Sequence, residues 1–103
     1  MNFEKSTNEA ASATEFEIML EKCYVYANKQ DATFPEGYRA NYDRITQGIE
    51  DMDCTENVRA VMRGRYRYGY KFTDIARILG ITYQWVYELH KNGVSFLEKH
   101  LFA

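Results

Sequence analysis

Between Thr82 and Lys91 the chain offers Thr82, Tyr83, Gln84, Tyr87, Glu88 and Lys91 as the outward positions at the start of a helix. A carboxamide such as Gln84 can pair with both hydrogen-bonding groups on an adenine edge. A hydroxyl such as Thr82 can meet a thymine methyl or a phosphate. Glu88 can accept from cytosine N4, although its charge repels a phosphate backbone. Tyr83 and Tyr87 offer broad surfaces with little preference among bases. Lys71, Arg77 and Lys91 can neutralise phosphates, and Thr73, near a helix start, can add a hydroxyl and backbone amides. Arg59, Arg63 and Arg67 step by four and form a second cationic row. Two readings of that row stay open: a solvated stripe, or a reach towards phosphates or a partner's acidic groups.

Catalytic chemistry finds no comparable set. His90 and His100 stand ten residues apart without a cysteine or carboxylate constellation, and read as helix-surface residues near a dipole end. Cys23 and Cys54 are isolated, with no C-x-x-C, and read as reduced thiols. Gly64 and Gly69 do not make a phosphate-cradling loop. Glu50-Asp51-Met52-Asp53 lacks neighbouring histidines and reads as a solvated connector. Neither an enzyme, nor a metal site, nor a cofactor is expected.

Helices must position these groups. The chain has 103 residues, 46% of them hydrophobic, with one proline and no dense strand pattern. That predicts one all-α unit, a small bundle of about five helices. Residues 1–12 read as a flexible tail. Residues 13–53 read as an acidic helical pair, suited to packing or partner binding. Its first helix starts near Ser12 to Thr14 and runs to about Lys29, burying Phe16, Met19, Leu20, Cys23 and Tyr24. Its second runs from about Pro35 to Met52, with Tyr38, Tyr42, Ile45, Ile49 and Met52 on one face. Residues 54–103 hold the rest. A third helix over about 56–68 turns Val58, Val61, Met62 and Tyr66 inward. Arg65 is expected beside the core, paired with Asp74 or Glu88.

Then comes a short helix ending at Leu79-Gly80, a turn of about three residues, and a helix opening at Thr82 and running to about His100. Ala76 falls where crossing helices must approach closely, and Gly80 where the turn needs positive φ. Ile75, Leu79, Ile81, Val86 and Leu89 are expected to pin the pair. This is the helix-turn-helix order, with an ordinary αα-hairpin as the alternative. Trp85, Leu89 and Phe96 mark a further apolar flank on the last helix. The halves differ in charge: residues 1–54 carry five Lys/Arg against eleven Asp/Glu, net −6, and residues 55–103 eight against four, net +4. Such asymmetry points to a nucleic-acid-facing half. The start, Met1-Asn2-Phe3-Glu4-Lys5, is polar and no apolar run spans a bilayer, so neither a leader nor a membrane segment is expected.

The run Arg65-Tyr66-x2-Gly69-x2-Phe72-x2-Ile75-Ala76-x2-Leu79-Gly80-Ile81-x4-Val86-Tyr87-x-Leu89-His90, with Ile45, Ile49, Arg59 and Met62 before it, resembles region four of sigma factors. It is most similar to the small region-four-like regulators of phages and prophages. The resemblance covers residues 45–101 and implies a cytoplasmic transcription regulator in a bacterial host. Double-stranded DNA would be its ligand, read by the helix from about Thr82, with RNA polymerase or another host protein as a partner and a homodimer as an option. Here the sequence departs from the family, because its recognition helix carries few of the usual Arg or Lys residues. The alternative is a protein-interaction module on the same scaffold, which inhibits or redirects a host protein.

Overall fold

A computed structural model describes residues 14–29 and 32–102, and among these all regular structure is helical. The helices are α1 (Glu15–Asn28), α2 (Tyr38–Asp51), α3 (Glu56–Met62), α4 (Phe72–Leu79) and α5 (Tyr83–Phe102). A π-helical turn, Arg63–Arg67, continues α3. The tail expected over residues 1–12 lies outside the described residues.

α1 begins where the sequence places it. Thr14 Oγ1 accepts from Glu17 N at 3.1 Å, and Glu17 Oε1 accepts from Thr14 N at 3.0 Å, a reciprocal cap. Phe16, Leu20, Cys23 and Ala27 then bury one stripe against α2 and the π turn. α2 starts later than expected. Pro35 lies outside the first turn, because its carbonyl accepts from Tyr38 N at 3.3 Å and closes a separate tight turn. Phe34 stacks on Tyr38 there, at 5.2 Å between ring centroids.

The third helix also differs from a plain α-helix over 56–68. After Met62 the ladder widens, and the carbonyls at its end turn to other donors. Gly64 O accepts from Tyr70 N at 2.9 Å. Tyr66 O accepts from Cys23 Sγ at 3.4 Å, Arg67 O from the Tyr42 hydroxyl at 2.8 Å, and Gly69 O from Asn28 Nδ2 at 2.9 Å. Side chains of α1 and α2 thus satisfy backbone acceptors that would otherwise be left at a helix end.

α5 runs through the middle of the core. Val86, Leu89 and Leu97 are buried on it, facing Ile45 and Ile49 of α2, Val61 and Met62 of α3, and Ile75 of α4. Fully burying one such side chain contributes about 1.5–3 kcal/mol. Gly93 does not break α5. A Cβ there would meet Met62 at 2.6 Å and Val58 at 3.1 Å, so the residue lets α3 and α5 cross in contact. Ala76 is buried as expected, and Ile81 is partly buried. Leu79 is a correction: it is 38% exposed beside Ile78 and does not pin the pair. Among the described residues, no helix is long and apolar enough to cross a membrane.

Two glycines carry different constraints. Gly80 has φ +70° with open space around it, so a side chain there meets only the left-handed backbone penalty. Gly69 has φ +72°, and a Cβ would also lie 2.5 Å from Asn28 N. Gly80→Ala is expected to cost roughly 1–2 kcal/mol. Gly69→Ala is expected to cost about 3 kcal/mol or more, since backbone must move apart. Urea unfolding of the two variants checks this, and equal losses would show that the α1 contact yields easily.

Candidate nucleic-acid interface

Thr82 sets the direction of the candidate helix. Its Oγ1 accepts from Trp85 N at 3.0 Å and its carbonyl accepts from Val86 N at 3.1 Å, so Thr82 is the N-cap of α5. The hydroxyl foreseen for a base or phosphate therefore gives one acceptor site to the cap and keeps its O–H to donate. Beyond it, Tyr83 and Tyr87 stack at 6.0 Å on the outer face and are 49% and 57% exposed. Gln84 and Glu88 project beside them and, with Thr82 and Trp85, line a cleft of about 330 Å³. Phe72 meets Tyr87 edge-on at 5.9 Å, which brings the start of α4 next to the second turn of α5. Lys71 and Thr73 are exposed at that start, and no side chain caps it. Among the described residues, the first amides of α4 thus have no side-chain acceptor.

The charges on this surface are largely matched. Arg77 Nη2 donates to Asp74 Oδ1 at 2.5 Å, and Lys91 Nζ lies 3.5 Å from Glu88 Oε1. These are solvent-exposed pairs, which contribute little to stability and exchange readily for other partners.

The arginine row is divided by the fold. Arg59 Nη1 donates to the carbonyls of Ile49 at 2.5 Å and Glu50 at 2.9 Å, closing the C-terminus of α2. Arg63 makes a two-pronged pair with Glu50, with both contacts at 2.6 Å. That pairing holds the Glu50 carboxyl below the usual carboxylate range and raises the Arg63 guanidinium. Arg67 is exposed, with its guanidinium 5.9 Å from the Tyr68 ring centroid.

Behind the surface lies a half-buried polar junction. The Arg65 guanidinium sits 3.7 Å from the Tyr24 ring centroid and 4.0 Å from that of Phe72. These two rings, one from each half of the chain, stand where a carboxylate was expected. Asp74 and Glu88 pair instead with Arg77 and Lys91. His90 corrects the sequence reading as well, because it faces inward rather than outward. The Tyr66 hydroxyl and His90 Nε2 share a hydrogen bond of 2.7 Å, and Phe72 packs edge-on against the imidazole at 4.8 Å.

Two apolar features flank the surface. Trp85 and Phe96, on the flank that the sequence marked, are 47% and 40% exposed over a cleft of about 630 Å³ between α5 and the start of α3. A second groove, of about 260 Å³, was not read from sequence. Tyr68, Tyr70, Ile78 and Leu79 line it, with the two tyrosine rings stacked at 5.8 Å. The paired tyrosines around Gly69 were its only local signal. Among the described residues, no cluster of three or more His, Cys, Asp or Glu could hold a metal ion.

No family model, no curated protein and no solved structure matches the chain. Its likeness to sigma region four rests on the residues quoted above.

The junction makes stability depend on pH. Burial, assisted by the charge of Arg65, pushes the His90 imidazole down from 6.5 to about 4. Unfolded, the ring titrates near 6.5 and takes up a proton that the folded chain refuses. Stability from this source is complete above about pH 6.5 and falls as pH drops towards about 4, by roughly 3 kcal/mol in all. Urea unfolding at several pH values should show this slope, and His90→Gln should remove it while keeping a hydrogen-bonding side chain. Identical slopes in both proteins would refute the assignment.

Proposed function

We propose that the chain is a DNA-binding transcriptional regulator of phage or prophage type, in which α4 and α5 act as a helix-turn-helix. The single observation that supports this best is exposure. Lys71, Thr73, Arg77, Thr82, Tyr83, Gln84, Tyr87, Glu88 and Lys91 are all exposed, on α4 and the first turns of α5. Gln84 is the base-reading side chain, and Tyr83 and Tyr87 fill the groove around it. Lys71 and the uncapped amides of α4 grip a phosphate, with Lys91 and Arg77 released from their surface pairs to do the same. With so few cations the intrinsic affinity is low, so binding draws on a second contact such as RNA polymerase or a second protein copy.

The matched charges also favour a second reading, a module that binds a protein in the same host cell. The ion pairs at Arg77 and Lys91 and the exposed Tyr68, Tyr70, Ile78 and Leu79 groove suit a less charged partner.

Selection from random duplexes at low salt separates the two. The DNA reading expects an enriched sequence and a shallow salt dependence. Gln84→Ala should relax preference at one base position by about 1–3 kcal/mol. Lys71→Ala should weaken all sequences alike and lower the salt slope by about one. Selection without enrichment, together with a stoichiometric protein retained from nuclease-treated host lysate, would favour the second reading.

A further inference from the structure

Trp85, Leu89, Asn92 and Phe96 follow one another at steps of four, three and four along α5. That is the spacing of a helix-pairing seam. Leu89 is buried in the chain's own core, whereas Trp85 and Phe96 remain 47% and 40% exposed with Asn92 between them. The cleft of about 630 Å³ beside them is large enough to admit a ring from outside.

We infer that α5 pairs with α5 of a second copy, antiparallel and centred on Asn92, through Trp85 and Phe96. Three features select a second copy in this orientation. First, the seam carries opposite charges at its two ends, with Asp53 and Glu88 near Trp85 (Glu88 in an exposed pair with Lys91 that exchanges readily) and Lys99 beyond Phe96. Antiparallel pairing sets each Lys99 over the partner's Trp85 and within one helical turn of the partner's Glu88. Parallel pairing would set like charges side by side. Second, Asn92 faces its own equivalent, and a carboxamide has both the donor and the acceptor needed to pair with itself. Third, each copy supplies both a ring and a cleft, which a two-fold contact requires.

One consequence rests on the DNA reading. Tyr83 lies nine residues before Asn92, so the two Tyr83 residues stand about 27 Å apart along the helix axis. The two-fold axis stands perpendicular to the plane of the two helices. Tyr83 is half a turn from Asn92 and so points away from the partner on each copy, whereas Gln84, about a quarter turn from Asn92, turns to the same side on both. The pairing also draws Lys99 towards Glu88, the one carboxylate on the reading face that opposes phosphate.

Sedimentation equilibrium of the full chain, without DNA, is the test. Trp85 is the sole tryptophan, so its emission reports the same event. A monomer–dimer equilibrium in the micromolar range is expected, with emission moving to shorter wavelength as dimer forms. Phe96→Lys, on the surface and checked for folding by circular dichroism, should weaken pairing at least about tenfold. Lys99→Glu should weaken it too, and adding Glu88→Lys should restore it. A chain that stays monomeric with constant emission up to submillimolar concentration overturns the inference. So does a dimer indifferent to Phe96→Lys, or a charge exchange without rescue. A dimer that behaves as expected but enriches no duplex leaves the interface standing and defeats the DNA reading instead.

Discussion

The guanidinium of Arg65, held between the rings of Tyr24 and Phe72, joins the two halves of this fold. Tyr24 belongs to α1, Arg65 to the π turn and Phe72 to the first residue of α4, and behind them Tyr66 reaches His90 on α5. A planar cation can lie flat on two aromatic faces and still donate at its edge, here to Tyr70 O at 3.3 Å. Lysine could not fill that slot. The same charge disfavours a second cation nearby, so His90 is held neutral by its surroundings as well as by burial.

That junction explains why the acidic N-terminal helices accompany the basic half. Their contribution is largely internal. Cys23, Asn28 and Tyr42 take the carbonyls left at the end of the widened α3, and Glu50 clamps Arg63. π-helical turns often mark places where a helix has been re-aimed for function. Here the widened turn places Tyr66 and Arg65 together on the core side, so that the start of α4 is fixed relative to α5. Part of the contrast in charge between the halves is thereby satisfied inside the molecule, which leaves less of it to signal an external ligand.

The apolar stripes were legible because helical period and burial go together. Phe16, Leu20 and Cys23, then Ile45 and Ile49, then Val58, Val61 and Met62, are buried as their spacing requires. The start of α1 near Thr14 was legible because capping chemistry is local. Leu79 misled, since a periodic apolar residue says nothing about whether a neighbour reaches it. Pro35 misled because a proline suits the turn before a helix as well as its first residue. Of the candidate surface, the exposed positions were readable, whereas the ion pairs of Arg77 and Lys91 and the capping duty of the Thr82 hydroxyl were settled by rotamer and distance.

Sequence by itself determined an all-helical chain, the turn at Gly80, the face of α5 that stays outside and the apolar flank at Trp85 and Phe96. Each follows from rules that act over a few residues: period, left-handed turns and the cost of burying charge. Only the tertiary structure decided the roles of Arg59, Arg63, Arg65 and His90. The sequence reads His90 as surface, Arg59 and Arg63 as an outward row, and Arg65 as a core-flanking group with a carboxylate partner. Each has at least one partner nine or more residues away in the chain, up to forty-one for Arg65 and Tyr24. A buried polar side chain is stable only where a distant ring, carbonyl or carboxylate meets it, and no local pattern records that meeting.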